Sequence, residues 1–311
     1  MTENNWVSYK NGNYIVALDL HNGSKIRYND LDFFKADRPE NMDICITRYC
    51  EYGCPYCHEN ATVNGKHGDI MSSKFIDTLP KWTEAAVGGG RVTSHPDLVP
   101  FLHKLKERHI IANITVQQTE FMSHLSFLRE LVNQKLIYGL GISLTNPYEE
   151  GFIAAVKTFP NAVIHAINGV VTLAQLSALG CKNLKILILG YKEVRRGVAY
   201  KADVDHMVEF RKNRLYASLP FIAKHNWFKT ISFDNLALKQ LEPQRFLSDE
   251  FYQNHYLGCD GIDGETQTSA SYYVDLVENV FARNSCDVNH RYPLENHTAT
   301  ECYQLLRDNK I

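Results

Sequence analysis

The sequence predicts an α/β fold in which strands and helices alternate along most of the chain. From residue 42 onward, a strand pattern is followed by a helix pattern six times in succession. Several strand segments are short, unbroken apolar runs, of which 184–189 is the clearest, and such runs separated by helices are typical of parallel strands buried on both faces. With 311 residues, the chain is long enough for one large α/β domain with additions, or for two domains.

The N-terminal segment predicts a small β-hairpin that precedes this alternation. Residues 14–20 and 24–28 have strand character, and His21-Asn22-Gly23 lies between them. Asn-Gly is a strong signal for a tight turn between two strands. We expect residues 1–40 to form an extension, either a ribbon that covers one end of the core or a ribbon that recognises a substrate.

The predicted elements of the central part alternate regularly, and those of the last third do not. Apolar periodicity and capping residues predict helices at 72–86, 96–109, 120–134, 148–159, 172–179 and 203–225. Strands are predicted at 42–47, at a glycine-rich strand end at 87–90, and at 110–117, 137–144, 162–168, 184–189 and 230–235. A helix at 248–256, a turn at 258–264 and a strand at 272–277 complete the chain.

Three cysteines within eight residues form the most distinctive motif of the chain. Cys50, Cys54 and Cys57 are separated by three and then by two residues, and Gly53 gives the loop backbone freedom. One loop with this spacing can curl around an inorganic centre, as the loops that hold iron–sulfur clusters do. His58 can complete a closed zinc site of three cysteines and one histidine. The alternative is a four-iron cluster whose fourth iron is left open for a small molecule.

This spacing, with aromatic Tyr56 directly before Cys57, resembles the radical S-adenosylmethionine (radical SAM) superfamily. The resemblance implies that Cys50, Cys54 and Cys57 hold a [4Fe-4S] cluster whose open iron chelates SAM. Reductive cleavage of SAM then yields a 5'-deoxyadenosyl radical, which abstracts hydrogen from a substrate. The resemblance also implies a partial (β/α)6 barrel at residues 41–235. Because the regular alternation is lost in the last third of the chain, we expect residues 236–311 to form a C-terminal α+β extension that closes the barrel or covers its mouth.

Chemistry in such barrels gathers at the C-terminal ends of the strands. The resemblance therefore implies SAM contacts by residues at those ends and in the cysteine loop: Tyr56, Gly88, Gly89, Gly90 and Ser143. By its position at a strand end, Asn168 is a further candidate. Arg196, in the loop after 184–189, is a candidate to bind the SAM carboxylate or an acidic substrate through its guanidinium. Arg91 stands where the superfamily has an acidic residue after the glycines. His165 and Asn168 lie three residues apart and are expected to face opposite ways, with Asn168 toward the barrel mouth and His165 in the core.

Composition limits the other classes of function. The formal net charge of −2 gives no bulk electrostatic reason for binding nucleic acid or a membrane. The sequence shows no apolar signal segment and no run long enough to span a membrane, so we expect a cytoplasmic protein in which clustered cysteines are ligands. Because the remaining cysteines are scattered singly, we do not expect a second cluster on Cys181, Cys259, Cys286 and Cys302.

Three classes of function remain open at this point. The favoured one is a radical SAM oxidoreductase that acts on a peptide, a nucleotide or a small metabolite and receives electrons from a donor such as flavodoxin or ferredoxin. The second is an activase that installs a glycyl radical on a partner protein. The third is a non-enzymatic module that binds zinc through Cys50, Cys54, Cys57 and His58.

Overall fold

A computed structural model describes residues 5–31, 33–256, 258–261 and 266–311. Its strands are β1 Trp6–Asn11, β2 Tyr14–Asp19, β3 Lys25–Tyr28, β4 Asn41–Thr47, β5 Glu84–Gly89, β6 Ile111–Gln117, β7 Gly139–Ser143, β8 Ala162–Ile167, β9 Lys185–Leu189, β10 Thr230–Phe233, β11 Ser271–Asp275, β12 Val280–Ala282 and β13 Tyr292–Pro293. Its α-helices are α1 Leu98–Glu107, α2 Gln118–Ser123, α3 Leu125–Asn133, α4 Phe152–Lys157, α5 Leu173–Leu179, α6 Arg196–Lys224, α7 Asn235–Leu241, α8 Asp249–His255 and α9 Ala299–Arg307. No helix in the described ranges is long and apolar enough to cross a membrane.

One large sheet organises the molecule. Its strand order is β10-β9-β8-β7-β6-β5-β4-β11-β12-β13, and every pairing from β10 through β4 to β11 is parallel. Apolar side chains of β4, including Met42, Ile44 and Ile46, are fully buried, as expected for a strand in the middle of a sheet. The prediction of an α/β fold built on parallel strands is confirmed, and the predicted strands of residues 42–189 all form.

The helix predicted at 72–86 is wrong. The structure instead has a single 3₁₀ turn at Lys74–Thr78, followed by the strand β5. Pro80 explains the difference, because proline disfavours α conformation in the residue before it, and Leu79 is indeed extended with ψ 126°. The strand β5 begins at Glu84 and ends at Gly89, within the glycine-rich segment 87–90 that was predicted as a strand end.

The C-terminal segment contributes directly to the large sheet. β11 pairs in parallel with β4, and β12 and β13 follow it with antiparallel pairings. A sheet that ended at β4 would leave that strand with an unpaired edge, and β11 covers it. The division of the chain into 41–235 and 236–311 stays a prediction, but the last part of the chain completes the layer that carries the central strands.

The N-terminal segment forms a separate three-stranded antiparallel sheet in the order β1-β2-β3. The predicted hairpin corresponds to β2 and β3, and β1 is an additional strand. Glu40, directly before β4, has a fully buried side chain that accepts hydrogen bonds from the Tyr14 hydroxyl at 2.5 Å and from Nη2 of Arg27 at 2.7 Å. Lys25 Nζ lies 3.1 Å from the same carboxylate. This cluster ties the small sheet to the start of the central strand.

We predict that Glu40→Gln destabilises the protein in a pH-dependent way. Burial alone would raise the pKa of Glu40, but hydrogen bonding by Arg27 and the charges of Lys25 and Arg27 lower it to about 2. Because the folded-state pKa lies below the unfolded one, the stabilisation is present above pH 4.5 and is lost as the pH falls toward 2. Urea unfolding should show a loss of about 3 kcal/mol at pH 7 that shrinks steadily below pH 4.5.

The control is Glu150→Gln, since Glu150 is exposed and should leave the free energy of unfolding within about 0.5 kcal/mol of wild type. A loss for Glu40→Gln that is the same at pH 3 and pH 7 would contradict the charge-based explanation.

Candidate functional site

A cavity of about 450 Å³ lies where the carboxyl ends of the parallel strands meet. Gln117, Ser143 and Leu189 are the last residues of β6, β7 and β9, and all three line it. This is the edge of a parallel sheet at which ligands commonly bind, because the loops that follow the strands begin there. We refer to it below as the strand-end cavity.

The three motif cysteines reach this cavity together. Cys50, Cys54 and Cys57 are free thiols that line it, and each is partly buried. Gly53 has φ +61°, which lets the loop reverse direction between the first two cysteines. Burial raises the pKa of the Cys50 and Cys54 thiols. In the described part of the chain, no three His, Cys, Asp or Glu side chains are grouped so that they could hold a single metal ion.

The glycines at the end of β5 hold the start of the cysteine loop in place. The Gly90 amide donates to the Thr47 carbonyl at 2.6 Å, and the Arg91 amide donates to the Tyr49 carbonyl at 2.7 Å. A Cβ on Gly89 or Gly90 would overlap the carbonyl oxygen of Thr47 or Tyr49, respectively. A Cβ on Gly88 would meet only open space, although Gly88 also lines the strand-end cavity. Of these three positions, backbone packing therefore requires a glycine only at Gly89 and Gly90.

The Arg91 side chain contacts the cysteine loop and does not line the cavity. Its guanidinium forms an ion pair with Glu51, which lies between the first two motif cysteines, and contacts Nε2 of His124 at 3.2 Å. The arginine that replaces the expected acidic residue thus fixes the outer side of the loop. It does not contribute a charge to the cavity.

Arg195 and Arg196 hold the other end of the loop. Nη1 of Arg195 donates to the Glu59 carbonyl at 3.0 Å, and Arg196 donates to the Ala61 carbonyl. Arg196 does not line the strand-end cavity, and its contact with SAM stays a prediction.

A buried charge network connects this loop with β11. Arg48, two residues before Cys50, forms an ion pair with Glu59 at 2.5 Å and another with Asp275 at the end of β11. The Tyr273 hydroxyl donates to Glu59 at 3.1 Å. Burial would raise the pKa of Glu59, but hydrogen bonding by His58 and the charge of Arg48 hold it well below its usual range. Glu59 is therefore a carboxylate at neutral pH, and the loop is closed by ion pairs.

The structure reverses the expected roles of His165 and Asn168. His165 lines the strand-end cavity, and burial together with the charge of Lys192 lowers the pKa of His165 to about 4. The Asn168 side chain is buried outside the cavity and donates to Oε1 of Gln240 at 3.0 Å. β8 ends at Ile167, so strand alternation places His165 on the cavity side, and Asn168 belongs to the turn that follows.

Asp43 and Lys192 are functional candidates that the sequence did not single out. Both line the strand-end cavity, Asp43 from the middle of β4 and Lys192 from the loop after β9. A charged residue between Met42 and Ile44 in an otherwise apolar strand is the signal that could have identified Asp43. Asp234, at the end of β10, caps α7 by accepting the Ala237 amide at 2.7 Å.

Comparisons with known proteins identify the fold but no sequence relative. No protein-family model matches the chain, and no curated protein matches it in sequence. Its fold is similar to that of Streptococcus suis SuiB bound to S-adenosylmethionine, with a TM-score of 0.59, 12% identity, and coverage of 98% of this chain and 87% of SuiB. SuiB bound to its precursor peptide SuiA gives a TM-score of 0.58, 11% identity, and coverage of 99% and 88%. At this level of identity the similarity concerns the fold alone.

We predict that Gly90→Ala destabilises the protein by roughly 1–3 kcal/mol, because the added methyl group must displace the backbone that leads into the cysteine loop. Gly88→Ala is the matched control two residues away, and its free energy of unfolding should stay within about 0.5 kcal/mol of wild type. Urea unfolding measures both. Equal losses for the two variants would show that the contact with Tyr49 is not what requires a glycine.

We predict that Asp43→Asn raises the melting temperature at pH 8 and raises it less at pH 5. Burial raises the pKa of Asp43 to about 6, and Asp260 and Asp234 add to this effect while Lys192 opposes it. Because the folded-state pKa lies above the unfolded one, the protonated form stabilises the fold at low pH, and that contribution is lost as the pH rises through 6. Exposed Asp205→Asn serves as the control, and calorimetry at both pH values is the measurement.

Proposed function

We propose that this protein is a radical SAM enzyme that cleaves SAM reductively at a [4Fe-4S] cluster and abstracts hydrogen from a peptide substrate. The observation that carries this proposal is the convergence of Cys50, Cys54 and Cys57 on one cavity at the strand ends. The cavity occurs in a fold similar to that of SuiB, which has been crystallised with SAM.

The donor set fits such a cluster. Three thiols on one loop are the ligands that iron–sulfur clusters take in proteins. Cys50, Cys54 and Cys57 would hold such a cluster together, and the ligands of a cluster do not need to converge on one point as those of a single ion do. When bound, the cluster supplies the electron that cleaves SAM to methionine and a 5'-deoxyadenosyl radical. The chain's own contribution is to hold the three sulfurs through the contacts of Arg48, Arg91, Arg195 and Arg196 described above.

The rest of the strand-end cavity fits SAM. Its volume of about 450 Å³ lies within the range of roughly 300–1,000 Å³ that encloses ligands of this size. Tyr56, Gly88, Gly89, Gly90 and Ser143 all line the cavity, and we propose them as SAM contacts, with Tyr56 near the adenine. Gly88 leaves open space where any other residue would place a side chain, so the backbone there can approach the methionine part of SAM.

We further propose that strands β4 to β9, with their helices, form the partial (β/α)6 barrel of the superfamily. The consecutive parallel pairing of these six strands supports this arrangement. We favour a peptide over a nucleotide or a metabolite because the similar fold of SuiB binds a precursor peptide. Reducing electrons would come from a protein such as flavodoxin or ferredoxin. A glycyl-radical activase and a zinc module are the alternatives that the following experiment separates.

We predict that anaerobic reconstitution with iron and sulfide gives the visible absorbance of an iron–sulfur cluster, and that the reconstituted protein forms 5'-deoxyadenosine from SAM with dithionite. Cys50→Ala should lower deoxyadenosine formation by more than roughly a hundredfold, since even the outer partners of metal ligands change activity about 10–100-fold. Cys181→Ala should behave like wild type, because Cys181 is exposed and lies outside the cavity.

Zinc would bind without colour and without SAM cleavage, and either result for the wild-type protein would overturn the proposal. His58→Ala separates the two ligand sets directly. If the variant keeps the cluster absorbance, the three cysteines are sufficient. If it loses the bound metal, the three-cysteine, one-histidine site is supported. Conversion of a partner protein to a glycyl radical form, detected by electron paramagnetic resonance, would instead support an activase.

A further inference from the structure

A second cavity of about 800 Å³ adjoins the strand-end cavity. It extends from the end of β10 past the start of β11 and is lined by residues of the C-terminal segment and of the N-terminal extension, including Phe34 and Asn284. Among the residues that the structure describes, four line both cavities, namely Asp43, Lys192, Asp234 and Ser285. These four residues, which we call the junction, mark the place where a molecule in the second cavity comes closest to the strand-end cavity.

Asp43 presents an unpaired carboxyl group at the junction. Its side chain projects from β4 inside the molecule and lines both cavities. Among residues 5–31, 33–256, 258–261 and 266–311, no group donates a hydrogen bond to it and no cation lies within ion-pair distance. Asp234, by contrast, accepts from the amides of Ala237 and Gly190, so its oxygens are already engaged by the backbone. Asp43 is therefore the carboxyl group of the junction that remains available to a ligand.

Lys192 supplies the opposite charge. Its Nζ donates to Oγ of Ser285 at 2.8 Å, which holds the ammonium group between the two cavities. Burial disfavours its charge, but the Cys286 thiol and the carboxylates of Asp234 and Asp43 outweigh burial and raise the pKa of Lys192. The group is thus an ammonium at neutral pH, and only one of its three N–H donors is used by Ser285.

We propose that Asp43 and Lys192 bind the substrate at the junction, and that they recognise an amino-acid unit through its N–H and carbonyl groups. Asp43 accepts the N–H, and Lys192 donates to the carbonyl oxygen. This inference rests on the proposed function, because it assumes that SAM occupies the strand-end cavity. The substrate then lies in the second cavity, and the bound unit is the part of it that reaches the 5'-deoxyadenosyl radical.

The size of the second cavity favours a peptide as the source of this unit. A volume of about 800 Å³ lies near the upper end of the roughly 300–1,000 Å³ that holds drug-sized ligands, and a single free amino acid would fill only a small part of it. A peptide would extend along the second cavity and present one residue at the junction. A free amino acid is the other source of the same chemistry, and the experiment below distinguishes the two.

The test uses the full chain with its cluster reconstituted, SAM, dithionite and deuterium-labelled extract of source-organism cells grown in D₂O. The extract is separated into a peptide fraction and a free amino-acid fraction. Two rates are measured by mass spectrometry, the total formation of deoxyadenosine and the appearance of deuterium in it. We expect the wild-type protein to acquire deuterium from the peptide fraction.

Lys192→Met and Asp43→Leu should lower deuterium transfer at least about tenfold more than they lower total SAM cleavage, because a hydrogen bond to a charged group contributes roughly 1.5–3 kcal/mol. Lys192→Arg keeps the charge and should recover part of the transfer. Lys182→Met and Asp205→Asn are matched controls at exposed positions outside both cavities, and they should preserve both rates. Thermal unfolding confirms that each variant is folded.

Three outcomes would overturn either the inference or the choice of a peptide as the source of the amino-acid unit. Equal losses of cleavage and transfer, or a raised KM for SAM in Lys192→Met, would assign these side chains to the SAM site. Deuterium acquired only from free amino acids would exclude the peptide, and deuterium from neither fraction would exclude the amino-acid unit. If the wild-type protein formed no deoxyadenosine at all, the proposed function itself would fail, and that result is distinct from the other three.

Discussion

The geometry of the site depends on the buried ion pairs of Arg48. Its guanidinium lies between Glu59, at the far end of the cysteine loop, and Asp275, at the end of β11. Removing one member of a buried ion pair typically costs about 3–5 kcal/mol, because the remaining charge is left uncompensated. The network therefore closes a loop that has no regular secondary structure of its own between the first and the last motif cysteine. It also makes the position of the three sulfurs depend on a strand more than 200 residues away.

This dependence gives the C-terminal segment a role in the site as well as in the sheet. β11 lies beside β4, so Tyr273 and Asp275 reach the cysteine loop, and Ser285 reaches Lys192. Each contact joins the last part of the chain to a residue near the strand-end cavity. The cysteines therefore reach their positions at the cavity only when the C-terminal strands are paired with β4.

The sequence predicted what depends on local pattern and missed what depends on long-range contacts. Apolar runs were sufficient to predict the central parallel strands. The cysteine spacing was sufficient to predict that three thiols lie together, and all three line one cavity. The helix predicted at 72–86 is wrong because Pro80 favours an extended conformation at Leu79. The hydrogen-bond partners of Asn168 and Arg196 could not be predicted for a different reason. Their partners, Gln240 and Ala61, are 72 and 135 residues away, so no local pattern could reveal them.

The positions of Asp43 and Lys192 in the structure, rather than the sequence pattern, indicate that these two residues have a function. Burial raises the pKa of Asp43 to about 6, so its ionised form is held at a cost to the fold. Natural sequences rarely keep an unpaired charge inside an apolar strand unless a ligand uses it, and perturbed carboxyl groups cluster at functional sites for that reason. A ligand N–H at Asp43 would offset part of that cost on binding. The buried environment of the junction therefore favours binding of a polar substrate. It favours above all a substrate whose groups can pair with both the Asp43 carboxylate and the Lys192 ammonium group.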